Sequence, residues 1–176
     1  MFAHQGSATA NRRQNCGFTL IELMLTITVA AVLLGIAAPS FSNMIASWRL
    51  TSQTNEMVAA IHLARAEAIK LNRPVMLCRT DDINDTACAA TSADWAHWIV
   101  ATTDLVARQG SPENTGSIRI TSTFTNDTLQ FGPSGLPFAS ADFLVCSTFD
   151  LAENQRLIEV GPGNRVSVTR QAGACG

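Results

Sequence analysis

From Leu23 to Trp48 the chain carries no charged residue, and the acid at the head of that run is Glu22. No other feature constrains the fold as tightly. A run of this length is enough to cross a bilayer as a helix, which takes roughly 20 apolar residues. A carboxylate near its start is out of place, since within such a segment it costs on the order of 3 kcal/mol on insertion scales. Ahead of the run, residues 1–17 are small, polar and basic, with Arg12 and Arg13 and no acid. Arginines on that side predict a cytoplasmic N-terminus, with the bulk of the chain across the membrane.

An ordinary secretory signal is one reading of this segment, and Gly35-Ile36-Ala37 would pass as its small-x-small cleavage site. Glu22 inside the apolar region counts against it, and so does the helical pattern that continues beyond. Met57, Ile61, Ala64, Ala68 and Leu71 fall on one stripe, with Glu56, Glu67 and Lys70 opposite. Ser40 to Leu71 lacks glycine and proline and is rich in Ala, Leu, Met, Glu and Arg. The apolar and amphipathic runs therefore read as one helix, bent at Pro39, where a backbone hydrogen bond is lost. Asn72-Arg73-Pro74 ends it.

The remainder reads as short strands: Val75–Arg79, Trp98–Ala101, Ser117–Thr123, Leu129–Phe131, Phe143–Cys146, Arg156–Val160 and Arg165–Thr169. Turn signals at Gly110-Ser-Pro, Gly132-Pro-Ser-Gly and Gly161-Pro-Gly separate them. One amphipathic helix followed by strands predicts an α+β fold, a long N-terminal helix packed on an antiparallel β-sheet domain. The expected division is 1–17 as a leader, 18–39 as a transmembrane and assembly helix, 40–72 as an amphipathic helix, and 73–176 as a β-rich domain.

The stretch CGFTLIELMLTITVAAVLLGIAAPSF resembles the N-terminal signal of type IV pilins and of the pseudopilins of type II secretion. The resemblance implies that a prepilin peptidase cuts after Gly17 on the cytoplasmic side and that the new terminal residue, Phe18, is N-methylated. It also makes Glu22 and Pro39 assembly residues, at the fifth and twenty-second mature positions. In a filament the free amine of Phe18 from a neighbouring subunit would neutralise Glu22, turning two charges that resist lipid into a registered pair. Downstream, LARAEAIKLNRPVMLCR, Trp95 with Trp98, FGPSGLPF and the cysteine of FLVCS resemble the GspH/FimT branch, minor pilins and H-type pseudopilins with the pilin fold. The function implied is a minor pilin in the complex that initiates or caps a type IV pilus, with an H-type pseudopilin of type II secretion as the alternative. The partners implied are other minor and major pilins or pseudopilins, the prepilin peptidase and an inner-membrane assembly platform. The location implied is the bacterial inner membrane, single-pass with a periplasmic domain, and then the fibre.

The five cysteines are Cys16, Cys78, Cys88, Cys146 and Cys175. Loss of the leader removes Cys16 and leaves four in the part expected to face the periplasm, where disulfides persist. Four allow three connectivities. The favoured one is Cys78–Cys88, closing a short polar loop, with Cys146–Cys175 tying the C-terminal tail to a strand. Metal binding is the weaker reading, since no C-x-x-C occurs and His4, His62 and His97 are scattered; no metal and no cofactor is expected.

One subgroup of FimT-like pilins binds DNA through a C-terminal Gly-Arg-x-Arg motif. The nearest stretch here is GPGNRVSVTR, with Arg165 and Arg170 as candidate DNA contacts. Aligned on Arg165, the glycine position is Asn164 and the second arginine position is Ser167. Strand alternation sends Arg170 to the face opposite Arg165. Removing Arg12 and Arg13 leaves 10 basic against 14 acidic residues, a net charge of −4, whereas phosphate contacts need clustered cations. For an enzyme, such as a membrane-tethered hydrolase, the chain lacks G-x-S-x-G, H-E-x-x-H, P-loop and G-x-G-x-x-G motifs. His97, beside Trp98, reads as a strand residue. No catalytic residue is expected.

Overall fold

The computed structural model describes residues 18–91, 93–112, 116–124, 127–149, 151–163 and 165–175, without the side chains of residues 36–40. One long helix, α1 (Leu20–Leu71), precedes eight strands: β1 (Val75–Thr80), β2 (His97–Ala101), β3 (Val106–Gly110), β4 (Ile118–Ser122), β5 (Thr128–Phe131), β6 (Ala141–Ser147), β7 (Gln155–Val160) and β8 (Val166–Gln171). The chain divides into two compact units, Met1–Pro39 and Ser40–Gly176. Cys16, Gly17, Asn164 and the Pro39 side chain, where a bend is expected, lie outside the described residues.

Helix α1 ends as its sequence dictates. Asn72 adopts a left-handed conformation with φ 49°. Its N–H donates to the Ile69 carbonyl at 3.3 Å, and the Arg73 N–H donates to the Ala68 carbonyl at 3.3 Å. This is the paired hydrogen-bond pattern that satisfies the last helical carbonyls, with asparagine in the place usually held by glycine. Pro74 then blocks any continuation. The Arg73 side chain donates to Thr102 at 2.7 Å and meets Asp104 at 3.3 Å, holding the helix end to the loop after β2.

The strands form two antiparallel sheets, β3-β2-β1-β5 and β4-β6-β7-β8, each four-stranded. The sequence reading implied one sheet and missed β3. The predicted stripe on α1 does face the core: Met57, Ile61, Ala64 and Ala68 are buried, and Leu71 partly so. Both sheets contribute to the same hydrophobic cluster as the helix, through Leu77 and Val100 on one side and Ile120, Phe143 and Ile158 on the other. Strand alternation divides β1 and β2 cleanly. Val75, Leu77, Trp98 and Val100 enter that cluster, while Cys78, Ile99 and Ala101 form a second, smaller one on the opposite face.

Three aromatic rings organise the main cluster. Phe143 lies edge-on to Trp95, with centroids 5.1 Å apart, and to Phe124 at 5.0 Å. Beside them runs a buried polar network. Arg79, at the end of β1, donates to the Thr91 carbonyl at 2.6 Å and to Asp81 at 2.8 Å. Its guanidinium lies 3.9 Å from the carboxylate of Asp127, and both side chains are almost fully buried. Asp127 also accepts from the Ala93 N–H at 3.1 Å and from the Ser122 hydroxyl, which in turn receives the Trp95 indole N–H at 3.3 Å. A charge pair this deep is tolerated because Arg79 donates elsewhere through both terminal nitrogens and Asp127 accepts from Ala93 and Ser122, although the Arg79 Nε itself donates to no partner. Through the Ser122 hydroxyl the network ties β1 and the start of β5 in one sheet to β4 of the other.

Candidate functional site

The N-terminal segment begins with a cap. Thr19 precedes the first helical residue, and its hydroxyl accepts the Glu22 N–H at 3.3 Å. The spacing Thr19-x-x-Glu22 is that of a capping box, and an acid in the first turn complements the helix dipole. Glu22 is therefore favoured locally as a helix starter, a role the sequence reading overlooked although TLIE carries the signature. Among the described residues no cation pairs with its carboxylate.

Every described residue from Phe18 to Gly35 is exposed, including Leu20, Ile21, Leu33 and Leu34. Thr26 and Thr28 donate their hydroxyls to the Leu23 and Leu25 carbonyls, each at 2.8 Å, so neither brings an unsatisfied donor into the apolar surface. Among the described residues no helix is long and apolar enough to cross a membrane, and the span expected over residues 18–39 includes residues whose side chains are not described. The described side chains stop at Gly35 and resume at Phe41, which divides the apolar run.

The four cysteines of the β domain pair as Cys78–Cys88 and Cys146–Cys175. The first closes the polar loop after β1. In that loop the Asp82 carboxylate accepts both the backbone and the side-chain N–H of Asn84, each at 2.9 Å, which holds its pKa below the ordinary value. The second pins the C-terminal tail, and amide side chains reinforce it. Asn154 donates to the Gly173 carbonyl at 2.8 Å and accepts the Gly173 N–H at 3.0 Å. Gln155 donates to the Ala174 carbonyl at 2.8 Å and accepts from Gln171 at 3.0 Å.

Arg165 and Arg170 are not brought together. Arg165 sits at the β7–β8 turn and lines a shallow hollow with Glu159 and Ser167. Arg170 is in register with Arg156 on β7, three positions from the Glu159–Ser167 pair and on the alternate face. Arg156 is buried, donating to the Glu153 and Gln155 carbonyls at 2.8 Å each. Burial first, and the like charge of Arg170 second, push its pKa down. The partner of Arg170 was invisible in the sequence because it depends on hairpin register. Among the described residues no group of His, Cys, Asp and Glu gathers into a metal site.

Elsewhere the surface is apolar around the loop after β5. Gly135, with φ 74°, lies so close to α1 that a Cβ there would come within 2.6 Å of the Ile69 side chain. Glycine is thus required both by conformation and by contact. Around it Ile69, Leu136 and Phe138 remain exposed.

Comparison with known proteins accounts for both parts of the chain. Residues 53–171 match the family described as "Type II transport protein GspH". Residues 12–38 match the "Prokaryotic N-terminal methylation motif". No curated protein matches. Among solved structures the fold is similar to the type IV minor pilin FimU of Pseudomonas aeruginosa. One crystal form aligns with TM-score 0.55 and 16% identity, covering 68% of this chain and 87% of that one. A second crystal form gives 0.53 and 15%, covering 68% and 91%. The chain belongs to the GspH family of type IV pilin-like proteins, which are structural subunits rather than enzymes.

Proposed function

We propose that the chain is a minor pilin of a type IV pilus, cleaved after Gly17, methylated at Phe18, held in the inner membrane with its β domain in the periplasm, and then incorporated with other pilins into the complex that initiates or caps the fibre. The observation that supports this reading is the segment Phe18–Leu34. It presents large apolar residues on all sides and a single carboxylate. A surface of this kind is stable in water only when lipid or neighbouring helices cover it. Glu22 is the group that a neighbour's terminal amine would complement.

The test separates capping from charge. Glu22→Gln keeps a side chain able to serve the capping box but removes the counter-charge for the amine of Phe18. Membrane insertion should persist and incorporation into fibres should fall. Fibre number equal to wild type in a strain carrying only this variant would remove the pairing role. Intact mass of the membrane-extracted protein should show loss of residues 1–17 and gain of one methyl group. A mature chain starting at Ala38 would instead mark an ordinary signal peptide.

The family name favours a second reading, an H-type pseudopilin of type II secretion. Deletion distinguishes the two, by loss of piliation or loss of secretion. DNA binding in natural transformation is the third, and the division of Arg165 and Arg170 between two faces weighs against it. Two phosphate contacts would give a salt slope of only about −2.

A further inference from the structure

Helix α1 carries a second apolar stripe, opposite the one that builds the core. Phe41, Met44 and Trp48 are exposed, while Ala46, Leu50 and Met57 are buried. At 3.6 residues per turn the exposed three fall within about 60° of one another, on the side facing away from the domain. The core of Ser40–Gly176 leaves this stripe uncovered.

How the stripe ends identifies its environment. The same helical face continues as Thr51, Asn55, Ala59 and His62, small or polar residues. Lateral packing against a parallel helix would extend large apolar residues along the face. Here apolarity stops at one level of the axis, at Trp48, and the first charge after Glu22 is the next residue, Arg49. Between the large side chains lie Ser42, Asn43 and Ser47, polar but uncharged. A cut-off by depth, with aromatic residues at the boundary and arginine just beyond, is the pattern of a helix leaving a bilayer. Phe41 to Trp48 rises about 10 Å, comparable with the roughly 5–8 Å of headgroup region on each side of the hydrocarbon.

We infer that Phe41, Met44 and Trp48 form an interfacial belt that seats the subunit in the phospholipid headgroup layer on the periplasmic side, with the half-buried Arg49 on the helix flank marking its outer limit. This rests on the membrane-anchored reading above and deepens it. The belt sets the height at which the domain waits before assembly.

The three tryptophans make the test selective. Trp95 and Trp98 are 2% exposed and Trp48 is 64% exposed. The full chain is reconstituted in phosphatidylcholine vesicles containing lipids brominated either near the headgroup or near the chain ends. The difference in emission between wild type and Trp48→Phe isolates Trp48. Shallow bromines should quench it at least about twofold more than deep ones. Vesicles that carry the protein on flotation, but whose Trp48 signal responds to neither lipid or more strongly to deep bromines, overturn the belt and leave anchoring intact. Failure of the protein to float with vesicles overturns the anchoring reading and the belt with it.

Discussion

Replacing Phe143 is the most direct test of how the β domain is held. The ring is fully buried on β6 and touches two other aromatic edges, those of Trp95 and Phe124. Truncation to alanine removes its transfer energy and leaves a cavity between helix and sheet, a change that costs about 3–5 kcal/mol in comparable cores. The Ser40–Gly176 unit has an unfolding entropy of about 0.3 kcal/mol/K at roughly 2.1 cal/mol/K per residue. Phe143→Ala should therefore lower Tm by about 10–17 °C. Phe143→Leu refills most of the volume and forfeits mainly the two edge-on contacts, about 0.5–1.5 kcal/mol each, so Tm should fall by about 3–10 °C. Thermal melts of residues 40–176 followed by far-UV circular dichroism measure both. The near-UV signal of Trp95 should weaken in both variants. If leucine costs as much as alanine, ring geometry outweighs volume and the cavity reasoning fails. If alanine costs under about 4 °C, Phe143 is not the keystone of this core.

Other outcomes follow from single positions. Gly110→Ala places a Cβ against the Trp98 indole, its partner across β2 and β3; overpacking should cost about 1–3 kcal/mol by urea titration, and an unchanged midpoint would refute the contact. Asp127→Ala leaves Arg79 its Asp81 partner but removes the buried acceptor of the Ala93 N–H and the Ser122 hydroxyl and should destabilise by about 1–3 kcal/mol, whereas Asp127→Asn, which tolerates the positive φ of 46° and keeps hydrogen-bonding capacity, should cost less. Arg170→Gln removes the like charge opposite Arg156 and should stabilise by a few tenths of a kcal/mol, an effect that shrinks at high salt. Because hydrogen bonding depresses the pKa of Asp82, its contribution is present at neutral pH and is lost only as pH falls through a value below 3.8; carboxylate NMR titration should place the Asp82 midpoint below 3.8, and a midpoint at or above it would refute the turn. Non-reducing peptide maps should show Cys78 with Cys88 and Cys146 with Cys175, and loss of the second pair, which closes about 30 residues, should cost about 3–4 kcal/mol.

The parts of the fold legible in the sequence are those encoded locally. The α1 stripe follows from a 3.6 period, its end from Asn72-Arg73-Pro74, and most strands from alternation between turn signals. Strand β3 was not legible, because Val-Ala-Arg-Gln-Gly is a largely exposed strand at a sheet edge without alternation. Its place depends on Gly110 leaving room for a tryptophan on another strand. The division into two sheets was hidden for a related reason. Alternation says which residues face inward but not which strands pair, and β5 returns to β1 across more than 45 residues of chain. Arg79 read as the unremarkable end of a strand, since burial of its charge requires Asp81 and Thr91 of the β1–β2 loop and Asp127 of the β4–β5 loop to converge. At the proposed assembly end, Gly17 and Pro39 remain proposals carried by the resemblance, while the Thr19–Glu22 cap is written in four consecutive residues.

The two disulfides lie within the sheets and their loops, and neither joins the helix to them. Any axial pull on the helix therefore reaches the β domain by two routes. One is the shear of the buried stripe from Ala46 to Ala68 against the core. The other is the covalent link through Asn72–Pro74 into β1, an inner strand bonded on both sides. A filament subunit drawn by its helix would yield first by sliding along that stripe, while the cross-linked sheets stay whole. Under load the helix–sheet interface is the fuse, and the cysteines confine the damage to it.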